Sequence, residues 1–295
     1  MKNPGNRAAA QQPELPKGFT TETIKTFGVI AILVLAFTNF SVVIDFIVNL
    51  LIFIYTFVGE NFGIAIILLT VIIRLLTWPL NAQQMKGAKA MQEFQSDKEW
   101  LATQKKYEKD PEKKNQEMMR LYRERGINPF GTCLPTLVQF PILFALIPSI
   151  TYAIGSTPLS ILKLSNSLYA FQNVAALVPL NSKFLWIDLG LPERTVIFGF
   201  SVPVLALTVA LTTYFQSKLT MPVSADPKDQ SAATAKMMSL YMPVMLYFFS
   251  VNYASGLSIY FVASNILSIV QYAMMGRVNW RNLLPGGDKS KPAKK

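Results

Sequence analysis

The fold is decided by an apolar stretch at residues 62–80, which reads FGIAIILLTVIIRLLTWPL and contains one charge, Arg74. As a helix this stretch would be about 28 Å long, close to the thickness of the hydrocarbon core of a bilayer. A guanidinium there costs about 3 kcal/mol or more, so an intramembrane arginine is by default a functional hypothesis. Thr70, Arg74 and Thr77 share one helix face. This pattern favours a wet, protein-lined face, with snorkelling of Arg74 to the nearby interface as the alternative.

The composition supports the same class of protein. The chain has 295 residues, of which 51% are hydrophobic and 15% charged, which is typical of a membrane protein. The absence of histidine excludes histidine metal sites and histidine-dependent triads. The single cysteine, Cys133, cannot form an intramolecular disulfide, and there is no phosphate-binding loop ending in Gly-Lys-Ser/Thr. We therefore expect a function that uses no nucleotide, metal or other cofactor.

Residues 1–41 combine a basic segment with a first apolar span. We interpret residues 27–41 as an uncleaved span, and a signal peptide is the alternative. Residues 42–58 are apolar but contain Asp45. We expect an amphipathic helix in the outer interface there, with a membrane-spanning helix as the alternative.

Residues 81–128, which follow the Arg74 span at 59–80, are charged and rich in Lys, Glu and Gln. Asp110-Pro111 is a turn signal in the middle, so we expect two helices that form an antiparallel hairpin on the cytoplasmic side. Eleven Lys and Arg residues nearly balance eight Asp and Glu residues. Such a balance is more typical of a solvated helical hairpin than of a nucleic-acid site.

Four further spans are expected within residues 129–276, and with the Arg74 span they form the five-helix core of an all-α polytopic membrane protein. Residues 151–195 form a loop that we expect to pack partly on the membrane surface, and residues 277–295 form a basic tail. The predicted spans are at about 130–150, 196–217, 237–253 and 257–275.

The distribution of basic residues predicts the orientation. If the N-terminus is cytoplasmic, 24 of the 28 Lys and Arg residues lie inside the cell, and only Lys163, Lys183 and Arg194 lie outside. The positive-inside rule therefore predicts cytoplasmic N- and C-termini and places Arg74 in the cytoplasmic leaflet. Because no Arg/Ser-rich transit peptide precedes the first span, we expect a bacterial plasma membrane.

Polar residues follow helical spacing in several of the predicted spans. One such stripe usually indicates hydrogen bonds between helices, but several stripes, one with an arginine, can line a water-filled cavity. The stripes comprise Thr132, Thr136 and Gln139; Ser201, Thr208, Thr212 and Gln216; and Tyr260, Ser264, Ser268 and Gln271.

Arg74 has no carboxylate partner within the predicted spans from residue 62 onward. Its counter-charge would have to come from water, lipid phosphate or a ligand. We therefore predict a site for an acidic group in a cavity open to the cytoplasm. The candidate groove residues are Arg74, Thr70, Thr77, Thr136, Gln139, Thr212, Gln216, Tyr260, Ser264 and Ser268.

The order and spacing of several motifs resemble the YidC/Oxa/Alb family of membrane protein insertases over residues 42–277. The motifs include Arg74 with Trp78-Pro79-Leu80, the run Gly126 to Pro135, Gln139-Phe140-Pro141-Ile142, Phe184 to Leu189, Met242-Pro243-Val244 and Ser255-Gly256-Leu257 through Tyr260 to Asn265.

The resemblance implies a five-helix core around a hydrophilic groove that is open to the cytoplasm and to lipid, with Arg74 as the groove arginine and Thr70, Gln139 and Tyr260 among its lining residues. It implies an insertase and chaperone that handles nascent membrane proteins in the lipid bilayer without nucleotide hydrolysis and without enzymatic activity. The ribosome and the Sec translocon are candidate partners. The basic tail either contacts ribosomal RNA or only obeys the positive-inside rule.

Two other classes compete with this interpretation. A small anion transporter or channel could use Arg74 as its binding residue, but the chain shows no internal repeat and no intramembrane acid for coupling. An intramembrane protease needs an activated nucleophile, and no histidine, aspartate or lysine lies within the predicted spans from residue 62 onward.

Overall fold

The structure is a computed structural model, and the chain divides into two units, residues 1–39 and 40–295. In the first unit only Gly28, Thr38 and Asn39 are described, so the expected first span at 27–41 lies almost wholly outside the described residues. The described residues are Gly28, 38–95, 97–107, 110–126, 134–154, 157–169, 180–220, 230–276 and Val278.

The described part of the second unit is mainly helical, which confirms the predicted all-α class. Its helices are α1 (Phe40–Phe57), α2 (Phe62–Leu76), α3 (Trp78–Gln95), α4 (Lys98–Lys106), α5 (Pro111–Glu124), α6 (Leu134–Ile154), α7 (Pro158–Ser167), α8 (Val204–Thr220), α9 (Gln230–Asn252) and α10 (Ser255–Met274). Two short antiparallel hairpins precede α8: β1 (Lys183–Phe184) with β2 (Ile187–Asp188), and β3 (Thr195–Ile197) with β4 (Phe200–Val202).

The helix that carries Arg74 is shorter than the apolar stretch predicts. It begins where the side chain of Asn61 accepts a hydrogen bond from the amide of Ile64, and it ends at Leu76. A new helix starts at Trp78 and bends away by 55°. Pro79 explains the break, because it lacks an amide hydrogen for the helical ladder and is tolerated only in the first turn of a new helix.

The predicted span at 196–217 is wrong in its first part. Residues 195–202 form the β3–β4 hairpin, and α8 begins only at Val204. Ser201 therefore lies on a strand and does not belong to the helical stripe of Thr208 and Thr212. The chain reverses at Phe198 and Gly199, which both have positive φ, as a two-residue hairpin turn requires.

One apolar core lies among α1, α2, α6 and α10. Helix α1 packs against α2 and α6, α2 packs against α10, and α10 also packs against α8. The most buried side chains include Val48, Leu51, Phe62, Ile66, Leu69, Leu146, Ile150 and Leu189.

The first turn of α10 is held by the loop after β2 instead of by a capping side chain. The amides of Ser255 and Gly256 donate to the carbonyls of Leu191 and Leu189, at 2.9 and 3.0 Å. These bonds satisfy amides that a helix start leaves without partners. They fix the position of α10, which supplies two residues of the candidate site described below.

The charged segment forms three helices, α3, α4 and α5, where the pattern predicts two. A small aromatic cluster of Phe94, Trp100 and Tyr122 joins them, with ring centroids 5.0–5.5 Å apart. Arg125 forms ion pairs with Asp97 at 3.3 Å and Glu99 at 3.0 Å, so the end of α5 lies beside the start of α4. The assignment of this segment to the cytoplasmic side stays a prediction.

By length and composition, two described helices can cross a membrane, namely α1 and α10. Two pairs of helices, each with a sharp bend between its members, meet the same criterion when the two members are counted as one span: α2 with Trp78–Met91, and Pro141–Ile154 with α7. Helices α8 and α9 are not among them, so their crossing stays a prediction. Helix α1 covers the segment expected to lie in the interface, and both interpretations of it remain predictions.

Candidate functional site between α2, α6 and α10

Arg74 reaches from α2 to α10. Its Nη2 donates a hydrogen bond of 2.5 Å to Oγ of Ser264, and the contact is partly buried. Tyr260, one helical turn earlier on α10, is also buried. The spacing of Tyr260, Ser264 and Ser268 puts three buried polar side chains on one face of α10.

Helix α6 completes this cluster through Gln139. Its side-chain amide donates a hydrogen bond of 2.6 Å to the hydroxyl of Tyr260. Three helices far apart in sequence therefore contribute to one polar group of side chains, which we call the arginine site: Arg74, Gln139, Tyr260 and Ser264.

The contacts of α10 with α2 and the start of α3 recur at a fixed sequence separation. Arg74 with Ser264 and Asn81 with Gln271 are both 190 residues apart, and so are Ile66 and Gly256, which lie in contact near the start of α10. A constant separation indicates that α10 runs in the same direction as α2 and the start of α3, with contacts about every two turns. We call this line of contacts the α10 seam.

Asn81 extends the polar part of the α10 seam beyond Arg74. Its side-chain amide lies 3.5 Å from Oε1 of Gln271 and 3.4 Å from Oγ1 of Thr77. Thr77, which shares a helix face with Arg74, therefore contacts this extension and donates its own proton to the carbonyl of Ile73.

Thr70 has a different local role. It is buried, and its hydroxyl donates a hydrogen bond of 2.7 Å to the carbonyl of Ile66 in its own helix. Thr70 therefore lies on the Arg74 face by its helical spacing, but its described hydrogen bond is within its own helix.

A second polar group joins α8 to α10. The side-chain amide of Asn265 donates to the hydroxyls of Thr212 and Thr213, at 3.1 and 2.9 Å. Thr212 thus pairs with Asn265 and is separate from the arginine site. Gln216 is half-buried on the same helix, and the side chain of Thr136 lies outside the described residues although its backbone belongs to α6.

Sequence reasoning left Asn81, Thr213, Asn265 and Gln271 out of the candidate list. Asn81 begins the charged segment in the sequence, and that pattern does not indicate a position on the seam. Asn265 directly follows Ser264, and a step of about 100° on a helix turns it toward a different neighbour. The polar residues of α10 therefore serve two interfaces, and a single helical stripe describes only one of them.

The described surroundings of Arg74 are polar but neutral. Its described hydrogen-bond partner is the hydroxyl of Ser264. Within the described ranges, no Asp or Glu forms an ion pair with Arg74. The guanidinium therefore donates to a neutral hydroxyl and has no carboxylate partner among the described residues, which suits transient contact with an acidic group.

Helices that can cross a membrane, together with a partly buried arginine that bonds to a neighbouring helix, define a helical membrane protein with a polar site between its helices. Residues 53–281 match the model of the family described as 60Kd inner membrane protein. The chain belongs to this family, which confirms the resemblance to the YidC/Oxa/Alb insertases.

Bacterial relatives support the assignment. "Membrane protein insertase YidC 2" of Bacillus anthracis is 36% identical over 217 residues, which are 72% of this chain and 71% of that protein. "Membrane protein insertase YidC" of Clostridium perfringens is also 36% identical, over 72% of this chain and 78% of that protein.

Other relatives are much longer than this chain. "Membrane protein insertase YidC" of Syntrophobacter fumaroxidans is 36% identical over 74% of this chain, but the match covers only 35% of that protein. A crystal structure described as an active YidC insertase with the first transmembrane domain resolved matches 84% of this chain and 52% of its own, with a TM-score of 0.51 and 24% identity. This likeness confirms the fold.

Proposed function

We propose that this chain inserts nascent membrane proteins into the lipid bilayer and assists their folding, by solvation and without catalysis or nucleotide hydrolysis. The observation that carries the proposal is the arginine site, in which Arg74 donates to the neutral hydroxyl of Ser264, on the same helix as Tyr260, which bonds to Gln139. Family membership and the names of the relatives support it.

The main barrier to insertion is the transfer of polar groups through hydrocarbon. Each unsatisfied backbone group costs several kcal/mol there, about 2–7 kcal/mol depending on the reference state. A polar groove that reaches part of the way across the membrane lowers this barrier, because the translocated tail stays hydrogen-bonded as it enters. The apolar helix of the substrate then moves sideways into lipid.

The arginine site would give this groove a preference for acidic tails. Arg74 would hold a carboxylate transiently, while the hydroxyl of Tyr260 and the amide of Gln139 offer neutral hydrogen bonds to passing polar groups. A permanent carboxylate partner would neutralise the arginine and weaken this interaction. Thr77, Thr136, Gln216 and Ser268 would supply further polar lining, whereas the hydroxyl of Thr70 bonds within its own helix and Thr212 pairs with Asn265.

The groove would open to the cytoplasm, where the charged segment 81–128 would receive the nascent chain. This orientation rests on the charge distribution, which favours cytoplasmic N- and C-termini in a bacterial plasma membrane. The basic tail 277–295 would contact the ribosome, and action beside the Sec translocon is compatible with the same geometry. No small-molecule substrate is required.

The test is insertion into protein-free liposomes of a single-span substrate with either an acidic or a neutral N-terminal tail, scored by protease protection. We expect Arg74→Ala to lower insertion of the acidic substrate about tenfold or more, since hydrogen bonds to charged groups contribute about 1.5–3 kcal/mol. The neutral substrate should be affected much less.

Arg120→Ala is the matched control, because Arg120 is an exposed arginine on α5 that pairs with Glu117 and Glu124. It should insert both substrates as the wild type does. Equal loss of both substrates in a well-folded Arg74→Ala protein would refute the acid preference. Failure of the folded wild type to insert either substrate, with anion leakage through the same liposomes, would refute the insertase function and favour the transporter.

A further inference from the structure

The β3–β4 hairpin exposes large apolar side chains. Val196 is 70% exposed, Phe198 at the turn is 98% exposed, and Phe200 is 76% exposed. Ile197 pairs with Phe200 across the hairpin, and Val196 pairs with Ser201. Contiguous exposed apolar patches of this kind mark contact with a membrane or another protein.

The exposed side chains lie on both faces of the hairpin. Successive side chains of a strand point to opposite faces, so Val196 and Ile197 face in opposite directions. A single isolated two-stranded hairpin is at best marginally stable in water. With apolar groups exposed on both faces, this hairpin suits an apolar surrounding medium better than water.

The backbone of the turn is unusual for an aromatic residue. Phe198 has φ of 51° and Gly199 has φ of 84°. Positive φ is uncommon outside glycine and is strained for a bulky residue, so the surroundings must compensate for it. The consequence is that the phenyl ring stands at the very tip of the hairpin, where nothing in the described part of the chain covers it.

The base of the hairpin is fixed to the start of α8. The carboxylate of Glu193 is buried and accepts hydrogen bonds from the hydroxyl of Thr195 and from the amide of Leu205, the latter at 3.0 Å. The indole of Trp186, on the neighbouring β1–β2 turn, donates to the hydroxyl of Thr195 at 3.2 Å. The tip is therefore presented by an anchored base.

We propose that the β3–β4 hairpin inserts its tip, Phe198 and Phe200, into the headgroup and upper acyl region of the lipid bilayer at the end of the membrane where α8 begins. Lipid can surround both faces, whereas a protein partner would cover one. The exposed Leu207 and Leu211 continue the apolar surface along α8, and the exposed Trp186 is typical of the membrane interface. The inference needs only a membrane-embedded chain and does not depend on insertase activity.

The test places a single cysteine on the tip of the full chain. In a Cys133→Ser background, Phe198→Cys is labelled with an environment-sensitive nitrobenzoxadiazole dye, and the protein is reconstituted in phosphatidylcholine vesicles. Quenching is measured with lipids spin-labelled at the headgroup or along the acyl chain, and with aqueous iodide. Ser201→Cys, nearer the base, and Glu112→Cys, on α5, are the matched controls.

We expect the dye at position 198 to be quenched most strongly by the shallow lipid labels and protected several-fold from iodide relative to position 112, with position 201 intermediate. Iodide quenching at position 198 equal to that at position 112 would overturn the proposal. So would protection from iodide without quenching by any lipid label, because that result would mean that a protein surface covers the tip.

Discussion

Replacing Gly256 with alanine tests the packing of the α10 seam. A Cβ at this position would lie 3.0 Å from Cγ2 of Ile150, 3.1 Å from Cδ1 of Ile66 and 3.4 Å from the carbonyl oxygen of Leu189. Carbon atoms in good contact are about 3.5–4.0 Å apart, so both isoleucines must give way by roughly half an ångström. We expect Gly256→Ala to lower the free energy of unfolding by about 1–2 kcal/mol, within the range for overpacked cores.

The two isoleucines supply a matched pair of second-site changes. Ile66→Val deletes Cδ1, the atom that the new methyl group would meet, whereas Ile150→Val keeps Cγ2 and therefore keeps its contact. Each single change should cost about 0.5–1.5 kcal/mol. Gly256→Ala combined with Ile66→Val should cost less than the sum, while Gly256→Ala combined with Ile150→Val should show no such relief.

The assay is equilibrium unfolding in mixed detergent micelles, followed by far-ultraviolet circular dichroism, for the wild type and the two double-mutant cycles. Strict additivity in both cycles would refute the contact geometry of the seam. A Gly256→Ala protein as stable as the wild type would also refute this contact geometry, because that result would show that α10 can move without cost.

Three other predictions concern different parts of the chain. Asn265→Ala removes two hydrogen bonds to threonines of α8, so it should lower the free energy of unfolding by about 1–2 kcal/mol, whereas Asn252→Ala, which bonds only within its helix, should be near neutral in the same assay. The backbone amide of Lys113 donates to the carboxylate of Asp110 and lowers the pKa of that carboxyl. The stabilisation that Asp110 gives to the start of α5 should therefore be complete above about pH 4 and be lost as the pH falls through the lowered pKa. Hydrogen exchange of the α5 amides should show this loss of protection, and Asp110→Asn should make the protection less dependent on pH. Arg125→Ala should destabilise α4 and α5 only slightly, and high salt should remove most of that difference, because the two ion pairs of Arg125 are exposed to solvent.

The sequence pattern predicts the polar face of α10 correctly, because Tyr260, Ser264 and Ser268 follow helical spacing and all three are buried. Helical spacing cannot show which partner each residue meets. The contact of Arg74 with Ser264 joins residues 190 positions apart and depends on the register of two helices. Only the folded chain determines that register.

The largest error concerns residues 195–202. A short apolar run next to a predicted helix reads as part of that helix, since periodicity alone does not separate short strands from helices. The decisive features are conformational: Phe198 and Gly199 take positive φ, and Glu193 caps the true start of α8 at Val204. Pro79, by contrast, was visible in the sequence and marks the break after Arg74.

The fixed separation of 190 residues along the α10 seam also has a consequence for biosynthesis. At translation rates of about 5–20 residues per second, Arg74 is synthesised roughly 10–40 s before Ser264. During that interval the guanidinium must be hydrated by other means, by water or by lipid headgroups near the interface. The arginine site is therefore complete only once α10 has been synthesised. If the proposed function is right, Arg74 depends until then on the same kind of polar surroundings that the mature protein would offer to other chains.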